Sequence, residues 1–369
     1  MSAMTLTRRA ALACRSARRL LSTSGQPRPA PSTLLGHFHH PMWPQDAEAF
    51  QLPPLAAPVF QPLTPSSPSL SIDFLPDVLD YALHDSHLGL VLLRRKPQFG
   101  TRGFLVCDPV SRRHAQLPPP PISCNNGGVV IGAALLSRAP SGGGLQFEIL
   151  CVALEVDRPR AWIASYHDGR CRWAALAPSR GVTLDLDHTR FERVCVHAAG
   201  GMYWHVLHSP AVLALDTASC DFSFLPAPAL MWGGDDGDHK YRIGEMPEDG
   251  RLCIASLERR HGLQICVRAQ VGATGDNGWV LDRRVPMEEV LDTVPSLPKD
   301  RLLRHSRMWL GDMDAGRTGK VFINTIGFGN FSYDIIDHKL EPLTIEDGTT
   351  YGHPVFAYIP VPAPHSRST

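Results

Sequence analysis

At 369 residues with an ordinary apolar fraction of 43%, the chain can bury one large core or two average ones. Its 36 basic and 36 acidic residues cancel, which removes any global drive toward nucleic acid or anionic membrane. Nine cysteines, an odd number with no Cys-x-x-Cys pair, read as reduced thiols rather than a zinc site or disulfide frame.

Met1 to Gln45 carries Arg8, Arg9, Arg15, Arg18, Arg19 and Arg28 and no acidic residue. Ala10, Leu12, Ala13, Ala17, Leu20 and Leu21 recur at helical spacing, and Ser22 to Gly25 with Pro27 ends the run. An arginine-rich, acid-free, amphipathic start of this kind is the pattern of a mitochondrial targeting peptide. Residues 26–69 are proline-rich and read as an extended linker or a strap. Within them His37, His39 and His40 cluster without an acidic or cysteine partner at ligand spacing, so they read as a solvated loop rather than a metal site.

From residue 70 onward the chain alternates short apolar runs with turns. Ser71 to Leu75 is a first short strand. Leu88 to Leu93 is a strong one, and Arg94-Arg95-Lys96 reads as its solvated end. Phe104 to Pro121 is a strand, a turn opened by Asp108-Pro109, and a second strand ended by four prolines. Val129 to Leu136 and Leu145 to Leu154 flank the glycine tip Ser141 to Gly144. Ala161 to Tyr166 and Cys171 to Leu176 flank His167-Asp168-Gly169, a hairpin signal.

Val194 to His197, Met202 to Leu207, Val212 to Asp216 and Phe222 to Pro226 repeat the scheme. Here Val212 to Pro226 echoes Phe104 to Pro118: apolar strand, Asp, small polar turn, strand, Leu-Pro. A fourth unit runs from Tyr241 to Arg283, with a short helical turn near Glu288 to Asp292. A fifth runs from Arg307 to Thr344, and Val355 to Ile359 is a last apolar strand. Units recurring at this spacing imply an all-β chain, a β-propeller of about six four-stranded blades over residues 70–369. A pair of β-sandwiches is the alternative. Ser71 to Leu75 and Val355 to Ile359 are expected to share the closing blade, because a ring must hide its terminal edges.

No catalytic, cofactor-binding or metal-binding residue is assigned. Asp314 to Lys320 (DAGRTGK) imitates a phosphate loop but opens on Asp rather than Gly and is followed by Val321 rather than Ser or Thr, so it reads as a hairpin turn. Asp235, Asp236 and Asp238 beside His239 lack the distal glutamate of a calcium loop and read as an exposed acidic loop. No Gly-x-Ser-x-Gly elbow organises the 17 histidines, and His205 in Met202 to His205 reads as a satisfied strand histidine. No apolar run reaches membrane-spanning length.

Several stretches resemble the propeller domain that follows the F-box in a large plant family expanded in grasses. They are Phe104 to Pro121, Gly200 to Trp204 with Val212 to Pro226, Ile243 to Ile254, and Asp292 to Asp334 with Met308 to Asp314 and Gly329 to Tyr333. Ala10 to Ser22 resembles the last helix of a plant F-box, and Leu34-Leu35-Gly36-His37-Phe38 the motif that follows it. The first half of an F-box is absent. The resemblance therefore implies a non-enzymatic module similar to the substrate-recognition subunit of an SCF-type ubiquitin ligase, with docking of a Skp1-like adaptor reduced or lost. Residues 1–25 remain open between a partial F-box and a targeting peptide, which leaves the location as cytoplasm or nucleus, or alternatively the mitochondrion. A hydrolase or lyase at the channel is the remaining alternative; His and Asp or Glu side chains converging at a channel mouth would favour it.

Overall fold

The computed structural model describes residues 34–43, 56–96, 103–122, 129–139, 144–155, 157–179, 181–183, 191–192, 194–206, 209–231, 241–258, 262–269, 277–295, 297–301, 303, 308–345 and 347–361. The helix expected over residues 1–25, the acidic loop at Asp235 to His239 and most of the glycine tip at Ser141 lie outside them.

The strands are β1 (Gly36–Met42), β2 (Val59–Pro62), β3 (Tyr81–His87), β4 (Leu90–Arg95), β5 (Phe104–Asp108) and β6 (Arg113–Leu117). They continue with β7 (Val129–Arg138), β8 (Phe147–Glu155), β9 (Arg158–His167) and β10 (Arg170–Ala175), then β11 (Val196–Ala198), β12 (Gly201–His205), β13 (Ala211–Asp216) and β14 (Phe222–Pro226). The last are β15 (Tyr241–Glu245), β16 (Leu252–Glu258), β17 (Gly262–Arg268), β18 (Trp279–Val285), β19 (Met308–Asp314), β20 (Lys320–Thr325), β21 (Phe331–Asp334), β22 (Lys339–Pro342) and β23 (Thr350–Tyr358).

Six antiparallel sheets form a six-bladed propeller, as the repeat implied. Five have four strands in simple sequential order: β3 to β6, β7 to β10, β11 to β14, β15 to β18 and β19 to β22. The closing sheet has the order β2-β1-β23, so both ends of the chain contribute to it. Innermost strands neighbour one another around the axis: β3 beside β7, β11 beside β15, β15 beside β19, β19 beside β23, and β23 beside β3.

The closing partner of β23 is therefore β1, not Ser71 to Leu75. That segment forms turns in which Ile72 and Leu75 are buried under the first blade. The supposed linker supplies β1 and β2, and His37, His39 and His40 are buried rather than solvated. The physical reason is that a histidine held neutral packs like an aromatic. His39 stacks on Tyr351 at 4.1 Å, and His37 meets Phe322 edge-on at 5.7 Å. The Arg94-Arg95-Lys96 trio is not solvated either. Arg94 and Lys96 are buried, Lys96 Nζ donates to Leu79 O at 2.7 Å, and Arg95 pairs with Asp80 at 3.1 Å.

Each blade interface has its own apolar layer. Trp204, the largest fully buried side chain among the described residues, fills the layer between the second and third blades with Ile131, Leu150 and Leu213. Burying a Leu, Ile or Val contributes about 1.5–3 kcal/mol, so these layers supply most of the cohesion. The layer between the fifth and closing blades is the thinnest among the described residues, with Phe322, Tyr351 and Val355, and it is there that His37 and His39 sit.

The Phe104 hairpin recurs in atomic detail. Asp108 Oδ1 accepts from the N–H groups of Val110 and Ser111, Asp216 Oδ1 from Ala218 and Ser219, and Asp334 Oδ1 from Ile336 and Asp337. The residue ending each turn has positive φ: Arg112, Cys220 and His338. A carboxylate that caps its own turn is why Asp opens each one. The Pro closing two of these hairpins also has a use. Trp173 Nε1 donates to Pro118 O at 3.1 Å, and Trp279 Nε1 to Pro226 O at 2.8 Å, clasping each to the next blade.

Asn330 anchors the closing seam. It is buried, its Nδ2 donates to Tyr351 O at 2.5 Å, its Oδ1 accepts from Thr325 N, and its own N–H donates to Thr350 Oγ1. Asn330→Ala strands a buried donor and a buried acceptor, so a loss of about 2–4 kcal/mol is expected in urea unfolding. Asn330→Asp keeps the acceptor for Thr325 N but sets a buried carboxylate oxygen against Tyr351 O, so its loss is expected to be at least as large.

Candidate functional site

Every four-stranded blade begins at its inner strand and alternates direction, so the inner strands all leave the ring at the same face. The C-terminal ends of β3, β11, β15 and β19 meet there. They bring Asp85 and His87, His197, Glu245, and Asp312 with Asp314 to one channel mouth. Bulges help to aim these groups. The pairing register shifts between Leu83 and Asp85 on β3 and between Leu310 and Asp312 on β19. An extra residue at such a point turns the next side chain to the other face.

Asp85 is the hub. It is 1% exposed, accepts from Leu135 N at 2.7 Å and lies 3.1 Å from His197 Nε2, which joins three successive blades. Burial alone would raise its pKa, but the rings of His197 and His87 and the Leu135 N–H hold it down to about 2. His87 stacks on His197 at 5.0 Å, and burial with its neighbours pushes it down to about 3.

Arg317 covers this mouth. The loop imitating a phosphate cradle is a hairpin connection containing a helical turn, Ala315–Thr318. From it Arg317 Nε donates to Asp314 Oδ1 at 2.7 Å and Nη1 to Ser86 O at 3.0 Å, tying the fifth blade to the first. Burial raises the Asp314 carboxyl, against the pull of Arg317. Lys320, the would-be phosphate lysine, instead pairs with Glu341 at 2.9 Å.

A second polar set lies deeper. Arg242 Nη1 meets Glu192 Oε1 at 3.1 Å, and its Nε donates to Gly311 O at 2.6 Å. Burial would raise Glu192, but Arg242 and His205 hold it down to about 2. His205 accepts from Ile243 N through Nε2 at 3.1 Å, as the sequence reading of a satisfied histidine requires. The same device recurs. His84 Nε2 accepts from Ala133 N at 3.0 Å, and His40 Nε2 from Leu83 N at 3.1 Å while its Nδ1 lies 3.0 Å from Ala56 O. Each of these links fastens one blade to the next through a neutral imidazole.

A cavity of about 70 Å³ remains at the mouth, walled by Val194, Val196, Met313 and Val355 and bordered by His197, Glu245, Asp312, Asp314 and Arg317. Among the described residues, no group of three or more His, Cys, Asp or Glu is arranged to hold a metal ion. Cys107, Cys151, Cys195, Cys253 and Cys266 are buried and in no disulfide, and burial pushes Cys151 up to about 12. No helix among the described residues is long and apolar enough to cross a membrane.

No family model and no curated protein matches the chain. Solved structures give distant matches. A protein from Lactobacillus plantarum is 11% identical, covering 88% of this chain and 99% of its own, with TM-score 0.37. TolB from Acinetobacter baumannii is 8% identical, covering 90% and 68%, with TM-score 0.36. An intramolecular trans-sialidase from Ruminococcus gnavus is 11% identical, covering 65% and 52%, with TM-score 0.34. At such identities nothing about activity carries over.

Sequence reasoning assigned no site residue, and Asp85, His87, His197, Asp312, Asp314 and Arg317 were not singled out as a group. One signal was present. Leu88-Gly89 forms a two-residue turn with both φ values positive, at 53° and 68°. Recognising it places His84-Asp85-Ser86-His87 on a strand paired with the apolar β4.

Proposed function

We propose that the chain is a non-enzymatic recognition module, a propeller whose surface and loops hold a protein partner. The observation that carries this reading is the channel. Several of its charged groups are engaged between blades, Asp85 with His197, Arg317 with Asp314 and Ser86 O, Arg242 with Glu192, and a cavity of only about 70 Å³ is left beside His197, Asp314 and Arg317. Such a ring is a stiff frame for its loops, and loops on stiff scaffolds are where recognition is built. The stretches that resemble the recognition subunit of an SCF-type ligase refine the proposal to such a subunit with docking of a Skp1-like adaptor reduced or lost. Affinity purification of the full chain is expected to recover a protein partner, with a Skp1-like adaptor and cullin at much lower yield. Recovery of no partner after cross-linking would overturn the recognition reading, and stoichiometric adaptor would overturn the lost docking.

One observation favours a second reading, a channel-mouth hydrolase or lyase. A buried carboxylate orients His197 beside a cavity that also holds an arginine and a carboxyl of raised pKa. Under that reading His197→Gln abolishes turnover of model esters by the purified chain; absence of turnover in the unaltered chain removes it. For location, a fluorescent fusion separates cytosol and nucleus from the mitochondrion.

A further inference from the structure

We infer that the channel-mouth cavity receives the side-chain ammonium of a lysine on the partner protein. The inference rests on the recognition reading and names the group such a partner would insert. Three carboxylates border the cavity, Glu245, Asp312 and Asp314, against the single guanidinium of Arg317. Asp85 adds a further negative charge just behind His197. The balance at this mouth is anionic although the chain as a whole is neutral.

An independent observation shows that the site is incomplete. Asp314 is 9% exposed. Its Oδ1 accepts from Arg317, but its Oδ2 is buried and has no hydrogen-bond partner. A buried carboxylate oxygen without a donor is costly, so a donor arriving there gains more than it would at the surface. Arg317 is held by Ser86 O through its Nη1 and by Asp314 Oδ1 through its Nε.

The shape selects among cations. About 70 Å³ corresponds to roughly two water molecules, enough for an ammonium head and the methylene next to it. Val194, Val196, Met313 and Val355 offer aliphatic walls, which suit the stem of a lysine whose charge reaches beyond it. An arginine fork needs two parallel acceptor oxygens on one carboxylate, and one oxygen of Asp314 is already taken. An ammonium is a compact donor of three N–H groups and can divide them among separate carboxylates. The entrance reaches solvent: the Arg317 side chain is 34% exposed and that of His197 22%.

The test uses the full chain and three small probes: Nα-acetyl-lysine methylamide, its Nε-acetylated form, and the arginine counterpart. Binding is followed by NMR of the His197 imidazole at constant ionic strength. The lysine probe is expected to produce a saturable shift with Kd on the order of 1 mM, the arginine probe to bind at least about tenfold more weakly, and the acetylated probe not to bind. Asp314→Asn is expected to weaken the lysine probe about tenfold while Glu248→Gln, away from the cavity, changes nothing. Because Asp314 also pairs with Arg317, folding of that variant is checked by circular dichroism. If it does not fold, Asp312→Asn serves instead, with a weakening of about threefold expected. Equal binding of the acetylated probe, or no saturable shift with the lysine probe, overturns the inference and leaves water as the occupant. Partner capture separates the two levels. A partner retained by the chain while the lysine probe fails sinks only the cavity assignment. A probe that binds while no partner is captured sinks the recognition reading alone.

Discussion

Lowering the pH from 7 to 5 is expected to remove most of the folding stability of this propeller. Burial pushes His37 and His40 down to about 3 and His39 and His205 down to about 4, from an ordinary value near 6.5. A group whose folded pKa is depressed leaves the unfolded chain binding more protons below the ordinary value. Stability is therefore complete above about 6.5 and is lost as the pH falls toward 4 and then 3. Between pH 7 and 5 each of these histidines costs about 2 kcal/mol, so four together cost on the order of 5–10 kcal/mol. Whole-domain stabilities are about 5–15 kcal/mol, so the transition should fall within this range of pH. Asp85 and Glu192, held down to about 2, act in the same direction but only below the ordinary carboxylate range.

Geometry gives the titration its mechanism. His40 and His205 accept backbone N–H groups from the next blade, which an imidazolium cannot do. His37 and His39 lie in the thinnest apolar layer, beside Tyr351 at the seam where the chain's two ends meet. The ring should open there first. Urea midpoints measured at half-unit steps of pH check the slope, and His37→Phe is expected to reduce it by about 1.4 kcal/mol per pH unit at the steepest point. A midpoint unchanged from pH 7 to 5 would contradict the reading of these rings as neutral in the fold.

Much of the ring was legible because its outer strands obey simple rules. Asp opens a turn that it caps itself, apolar residues alternate, and Leu-Pro closes the hairpin. These features mark Phe104 to Pro121 and Val212 to Pro226 as hairpins, which the fold contains as β5 with β6 and β13 with β14. What escaped shares one cause. At the inner strands and the closing seam polar residues are buried, so hydropathy no longer marks a strand. Tyr81 to His87 carries no strand signal in the sequence because its Asp and His residues are polar and a bulge at His84 breaks the alternation. Gly36 to Met42 reads as a linker because three histidines count as polar there and as aromatic in the fold. The channel-mouth groups could not be assembled from spacing at all. They are spread over more than 200 residues of the chain and meet only because the ring closes, as Arg317 does with Ser86, at a separation of 231.

Replacing Asp85 is expected to cost more than any other single substitution at the channel. Its carboxylate is buried, accepts one backbone N–H from the second blade, and faces His197 on the third. Asp85→Ala leaves the Leu135 N–H without an acceptor, removes the partner of a half-buried histidine, and opens space between strands that cannot close on one another. Losing one member of a buried pair costs about 3–5 kcal/mol, far above the median for an exposed ion pair. Asp85→Asn keeps the volume and one acceptor oxygen for Leu135, so its loss should be about 1–3 kcal/mol. The order expected in urea unfolding at pH 7 is wild type, then Asp85→Asn, then Asp85→Ala. The exposed pair Arg112–Asp73, 3.0 Å apart with both side chains more than half exposed, is the control, and its removal should leave the urea midpoint nearly unchanged. If Asp85→Ala proves no more costly than that control, the carboxylate does not join the blades, and the apolar layers alone hold the ring.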